Sequence, residues 1–425
     1  MASDYLIYIN NEGYQMIDLN NINLIGDDKK QNVYFITGEN GTGKSRLLEK
    51  IIDKLKKDKG ANSYNNIIAF SGTFFDRLPV KDFIVKKKNG ELKYIYFGVK
   101  TNSNIASRLT PIKKFISEII NFYKLSHENK DQENTTKSIL NTISKILHQI
   151  GFDDRIHIEV NVIEETGGFT KSGKRQTKSI NKEYLDFSLS AFGGSDVDSL
   201  INIFHSKDVK KLNNFNKTVE NIAFYKINNN EKLYFQMGKS KNKHMLSSGE
   251  ILYITMILGL GYGLCQAEKS LIVYDEPENS MHPEWQISII PTMLDIINEA
   301  NNLNTTSKLP DIIIATHSPL ISSSVQKNKE RDVYTAILSK DKDSFTWETS
   351  EYFGENVDSV LTDLFGMLSP RSENFRELLQ LCIDHYVDNN LSMSKVYFDQ
   401  IKNVNLKTND PLYKIFNILK QSFNS

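Results

Sequence analysis

The segment Gly38-Glu39-Asn40-Gly41-Thr42-Gly43-Lys44-Ser45 is where residue type and spacing point most directly to chemistry. It is a G-x-x-x-x-G-K-S set between an apolar run, Val33 to Ile36, and an amphipathic pattern that begins near Gly43. Glycines at that spacing let the backbone wrap closely, so that its N–H groups point at phosphate oxygens, and the helix that follows turns its positive end to the same anion. Lys44 would reach the β- and γ-phosphates, and the Ser45 hydroxyl would sit on magnesium. Asn40, Gly41, Thr42, Gly43, Lys44, Ser45 and Arg46 are therefore the expected nucleotide contacts, with ATP and Mg2+ as the expected ligands.

A second run, Leu271-Ile272-Val273-Tyr274-Asp275-Glu276-Pro277, reads as a buried strand delivering two acids to its C-terminal edge, where open α/β sheets bind ligands. Asp275 is the candidate metal residue. Glu276 is the candidate general base for an attacking water, a step that depends on positioning as much as on proton affinity. About 30 residues earlier, Leu246-Ser247-Ser248-Gly249-Glu250 heads a long apolar helical pattern through Leu264. Backbone donors and the helix dipole favour a phosphate at such an end. A strand-like run from Asp311 to Ala315 is followed by Thr316-His317-Ser318-Pro319. Between these lies Glu278-Asn279-Ser280-Met281-His282-Pro283, whose proline suits the first turn of a helix.

In this order and spacing the segments resemble those of the ABC ATPases, whose signature reads L-S-G-G-E or L-S-S-G-E. The resemblance implies that Ser247, Ser248 and Gly249 bind the γ-phosphate held by an opposite subunit. It implies further that His317 is the switch histidine that senses this phosphate and steadies Glu276, and that Glu278 to Pro283 occupy the D-loop at the dimer interface. Catalysis would rest on Lys44, Glu276 and His317, with Ser45 and Asp275 on the metal. The assembly would be a head-to-tail homodimer, or a higher even-numbered homo-oligomer. The D-E-P-E-x-x-x-H-P form, with the later T-H-S-P, is similar to the branch containing RecF and the OLD-family nucleases. Ser71 to Arg77 stand where transporter ATPases carry a glutamine loop, yet include no glutamine, which leaves Asp76 as a substitute. No Toprim-like acid pattern or H-N-H cluster is apparent. The D-x-D matches at Asp196 and Asp198 and at Asp341 and Asp343 read as polar turns. Stand-alone ATPase subunits of Septu-type antiphage systems resemble the chain most, through these motifs and, more loosely, Tyr352-Phe353-Gly354 and Leu364-Phe365-Gly366. That likeness implies a separate HNH-type nuclease partner.

To bring these residues together the chain must be α/β: an ABC-type ATPase head with a P-loop core sheet and N-terminal antiparallel strands, an inserted helical lobe and a helical C-terminal region. Expected strands are Tyr5 to Ile9, Tyr14 to Leu19 and Asn66 to Phe70, with a hairpin turning at Asn89-Gly90. Residues 1–104 form the first ATPase lobe. Residues 105–220 form a mainly helical insert, in which the polar stretch Ser126 to Lys137 separates two helical segments and Thr166 to Ser179 make a mobile loop. The second lobe covers 221–349, where a strand pair after Ile222 returns to the core, and residues 350–425 are helical.

Bulk properties restrict the function classes. Lys and Arg total 52, as do Asp and Glu, so no overall field draws the protein to nucleic acid or membrane. Cys265 and Cys382 form neither a disulfide framework nor a zinc set. The start is not a signal peptide, and the run Tyr253 to Cys265 is shorter than the roughly 20 residues needed to cross a bilayer. A cytoplasmic protein without membrane contact is expected. Two readings stay open: a nucleotide-gated regulator of a nuclease, and a RecF-like clamp binding DNA through Lys171, Lys174, Arg175 and Lys178 with Lys239, Lys241 and Lys243.

Overall fold

The computed structural model describes residues 5–424 apart from 11–12, 19–23, 25–28, 59–63, 74, 89, 101–109, 117, 119–129, 165–178, 192–218, 228–230, 235–243, 265–268, 304–308, 340–344, 367–370, 405, 407–409 and 411. Two compact units divide the chain, Met1–Glu355 and Asn356–Ser425.

In the first unit, β1 (Tyr5–Asn10) and β2 (Gly13–Asp18) form a separate antiparallel pair. Runs that are buried at every position suit strands covered on both faces. Three of them are β3 (Gln31–Gly38), β4 (Asn66–Ser71) and, beyond the hairpin β5 (Phe83–Lys87) and β6 (Gly90–Tyr96) and the strands of the insert, β11 (Ser270–Asp275). With β12 (Asp311–Ala315), β13 (Arg331–Leu338) and β14 (Glu348–Thr349) they make one eight-stranded sheet in the order β14-β13-β3-β12-β11-β4-β6-β5. Every inner pairing is parallel, and only the edge strands β14 and β5 run antiparallel.

Successive side chains of these strands enter opposite cores, as a period of two requires. Val33, Phe35, Ile312 and Ile314 join one cluster, with α3 (Ser248–Leu264) and α4 (Pro283–Leu303). Tyr34, Ile36, Ile313 and Ala315 join the other, against Leu47, Leu48, Ile51 and Ile52 of α1 (Lys44–Lys57). Helix α3 is apolar on all sides because it is covered on all sides. Ile68 of β4 abuts Gly263, while Ile143 of α2 (Lys130–Gln149) abuts Gly261. Among the described residues no helix is long and apolar enough to cross a membrane.

The insert departs from the expected mainly helical lobe. β7 (Phe152–Glu164) and β8 (Ser179–Ser188) join β9 (Val219–Lys226) and β10 (Lys232–Tyr234) in a four-stranded antiparallel sheet, so the expected boundary at 220/221 falls within β9. Ile156 and Ile158 alternate with Arg155, His157 and Glu159, a period-two pattern, and the two isoleucines pack with Ile222 and Phe224 in the cluster that holds α2. The expected separator Ser126 to Lys137 is corrected as well, because residues 130–137 lie inside α2. Asn134 and Lys137 are exposed there while Thr136 is buried, as expected where an amphipathic helix turns its polar face to solvent. Of the expected loop Thr166 to Ser179, residues 166–178 lie outside the described residues, and Ser179 begins β8. The four D-x-D aspartates and the seven basic residues of the DNA reading also lie outside the described residues.

In the second unit α6 (Val357–Phe365), α7 (Glu373–Val387), α8 (Leu391–Ile401) and α9 (Tyr413–Asn424) follow α5 (Pro319–Ser322) of the first in chain order. Asn356, Ser372 and Asn390 cap α6, α7 and α8 by accepting a backbone N–H. Leu379, Cys382, Phe398, Ile401, Phe416 and Leu419 form this unit's core.

Candidate nucleotide site

The parallel registers bring distant residues to one edge of the sheet. Asp275 at the end of β11 pairs with Ala315 of β12 on one side and Ser71 of β4 on the other, and Ala315 pairs with Ile36 of β3. The chain continues across this edge as a lattice of backbone bonds. Glu276 N–H donates to the Ala315 carbonyl, Thr316 N–H to Ile36, and Gly72 N–H to Asp275. The phosphate loop, the acids and the histidine turn therefore hang from neighbouring strands, outside the carboxyl ends where a ligand fits.

Within the loop, Glu39, Asn40 and Gly41 are exposed, Thr42 is buried, and its hydroxyl donates to the Glu39 carbonyl at 2.9 Å. Gly43 sits at φ 95°, a left-handed conformation that costs a residue with a Cβ dearly, and directly precedes α1. Lys44 is buried and donates to the carbonyls of Gly38 and Glu39 at 2.9 and 2.8 Å. Burial pushes its ammonium down to about 8 against the opposing pull of Glu276, Glu278 and Asp275, so this cation lacks compensation that a phosphate would supply. Arg46 is exposed on α1, where its charge acts on Glu49.

Ser45 Oγ donates to Asp275 Oδ1 at 3.0 Å. Asp275 is wholly buried, and among the described residues its Oδ2 has no hydrogen-bond partner. Desolvation, reinforced by the charges of Glu276, Asp76 and Glu278, pushes its carboxyl up to about 7 despite the Ser45 hydrogen bond. Two oxygen ligands side by side, one of them an under-coordinated carboxylate, fit a hard divalent cation.

Glu276 follows at φ 50°, in the left-handed region that a non-glycine residue occupies at a cost. Its Oε2 accepts from Asn279 Nδ2 at 2.8 Å, and its Oε1 lies 3.7 Å from His317 Nε2. Burial, and next the charge of Lys44, holds the His317 imidazole below its ordinary value against the pull of Glu276, which favours the neutral ring. Sequence reasoning places Glu278 only in a loop. Its carboxylate meets Thr316 and His317, 38 and 39 residues away in the chain, so no local spacing announces the contact. Desolvation raises its carboxyl despite hydrogen bonds from His317, Thr316 and its own backbone.

The serine-rich helix start takes a different form. Ser247 is exposed, its Oγ accepts Glu250 N–H at 3.2 Å, and Glu250 Oε2 accepts Ser247 N–H at 2.7 Å, a reciprocal capping box at the head of α3. Ser248 is half-buried. Gly249 is buried so tightly that a Cβ there would stand 2.5 Å from the Ser280 carbonyl, which ties this helix start to the loop after β11. Asp76, the substitute for the missing glutamine, is committed elsewhere. It accepts Tyr96 O–H at 2.8 Å and Leu78 N–H at 3.1 Å and lies 3.5 Å from Lys100 Nζ.

Over 117 residues the chain is 28% identical to protein ea59 of Escherichia phage lambda, a match that covers 28% of this chain and 20% of that protein. Residues 33–323, more than half of the chain, match the family model described as "AAA domain, putative AbiEii toxin, Type IV TA system". These residues run from β3 through the histidine turn and hold the phosphate loop, the acidic strand end and His317, and the chain accordingly belongs to this family of P-loop ATPase domains.

Proposed function

We propose that the protein is an ATP-hydrolysing engine that dimerises head-to-tail around two nucleotides and thereby regulates a separate effector, an HNH-type nuclease in antiphage defence. The meeting of Ser45, Asp275, Glu276, Lys44 and His317 at one sheet edge, with an orphaned buried oxygen on Asp275, is the observation that supports hydrolysis most. Lys44 would leave the Gly38 and Glu39 carbonyls for the β- and γ-phosphates. Ser45 and Asp275 would hold magnesium, which when bound offsets the charge of the phosphates. Glu276, gripped by Asn279, would accept the proton of an attacking water, and neutral His317 would donate its single ring N–H toward the γ-phosphate while standing beside that carboxylate.

Dimerisation rests on the exposed Ser247 turn. Its hydroxyl proton remains free to donate while the oxygen caps the helix, and an incoming γ-phosphate would meet the positive end of α3. A family description that names a toxin system is compatible with an effector placed under nucleotide control.

Glu276→Gln should bind ATP, turn over slowly and accumulate closed dimers in light scattering, while Lys44→Ala should lose nucleotide affinity. A Glu276→Gln protein that stays monomeric with ATP and magnesium bound would remove the dimer. Co-purification with a neighbouring nuclease tests the regulatory part; its absence at every nucleotide state would leave an ATPase without that role.

A further inference from the structure

We propose that Glu278 is a positioning residue for hydrolysis, holding His317 against Glu276 by pinning the backbone and hydroxyl of the turn that carries it. Its carboxylate spans two donors: Oε1 accepts His317 N–H at 2.5 Å and Oε2 accepts Thr316 O–H at 2.8 Å. The Thr316 hydroxyl in turn accepts Ser318 N–H at 2.9 Å, and the Ser318 hydroxyl donates to Gln286 of α4 at 2.7 Å. Thr316 and His317 are thus fastened to the connection between β11 and α4, and Ser318 to α4 itself.

The same connection holds the other half of the pair, since Asn279 donates to Glu276. A single stretch, Glu276 to Asn279, therefore sets both sides of the 3.7 Å gap between carboxylate and imidazole. Thr316 is wholly buried, so without Glu278 its hydroxyl has no water to turn to and the turn must shift to satisfy it. Catalytic geometry tolerates such shifts poorly: a displacement of about 1 Å costs on the order of 100-fold in rate. Glu278 hydrogen-bonds the turn, while on Lys44 and Glu276 it acts through its charge, and its positioning influence passes through His317.

The proposal rests on the roles given above to Glu276 and His317, and steady-state ATPase kinetics on the full chain separate the two. Glu278→Ala should lower kcat about 10- to 100-fold with KM for ATP changed less than about threefold. Glu278→Gln, which still presents one acceptor oxygen at the same reach, should recover kcat to within about threefold of the parent. Glu278→Asp keeps the charge but withdraws the carboxylate by one methylene, and should lose about tenfold; it also decides the matter if the alanine variant does not fold. In a His317→Ala background, Glu278→Ala should add less than about twofold. Losses that multiply, a Glu278→Asp faster than Glu278→Gln, or an unimpaired Glu278→Ala would each overturn the positioning role. A His317→Ala protein of parental rate would instead sink the underlying assignment.

Discussion

Two buried aspartates on adjacent strands, at opposite ends of the same sheet, have opposite surroundings. Asp311 opens β12 and both of its oxygens are engaged. Oδ1 accepts the Asn32 backbone N–H at 2.9 Å and side-chain amide at 3.0 Å, and Oδ2 accepts Tyr64 O–H at 2.6 Å with Lys269 Nζ at 3.6 Å. Asp275 closes β11, equally removed from solvent, with one hydrogen bond and an orphaned oxygen. A carboxylate taken out of water costs several kcal/mol unless partners replace the solvent. The amino end of the sheet supplies those partners from the chain itself, whereas at the carboxyl end the described residues give Asp275 one side-chain hydrogen bond. Stability is thus built at one edge and withheld at the other, where Glu276 also sits in strained backbone.

Substitutions that exchange the two environments test this contrast. The largest effect should come from Glu276→Gln, which should slow phosphate release about 100- to 1,000-fold with ATP binding retained; a rate within tenfold of the parent would place the base elsewhere. Asp311→Asn should cost about 3 kcal/mol in urea unfolding, because Lys269 and the Tyr64 hydroxyl face an amide donor in place of a carboxylate. An unchanged midpoint would mean that the amino end is not the stabilising edge.

Asp275→Asn should do the reverse in metal-free buffer. The parent carboxyl titrates near 7 in the folded chain and in the ordinary carboxylate range when unfolded. The folded state therefore holds the extra proton, and its stability is greatest below the unfolded value and falls as pH rises through that window to about 7. The amide lacks this loss, so the variant should be more stable than the parent above pH 7, with the advantage shrinking towards pH 4. An advantage independent of pH would show that the carboxylate's charge is not what burdens this site. The smallest effect belongs to Ser247→Ala, which removes half of the capping box and should cost ~1 kcal/mol in thermal unfolding.

Legibility in the sequence tracked the range of the interactions involved. The phosphate loop could be read because its geometry is local: closely spaced glycines and one lysine make the cradle. Asp275 and Glu276 could be read because an apolar run ending in acids has few other uses in an α/β chain. The two strands between Phe152 and Ser188 also carried a signal, the alternation at Ile156 and Ile158, which the reading of this stretch as mainly helical passed over. The partners of Glu278 had no signal at all, since a carboxylate that grips a backbone N–H leaves no mark on the residue gripped.

By itself, then, the sequence determined which residues could handle a triphosphate and which runs must be buried, because backbone freedom, charge and apolar period are properties of short segments. Only the tertiary structure decided that Ser45 meets Asp275, that Glu278 holds the turn of His317, and that one aspartate is satisfied while its neighbour is not. Those outcomes depend on the register of parallel strands, whose connecting segments run through other parts of the fold, and register is set by the packing of whole layers.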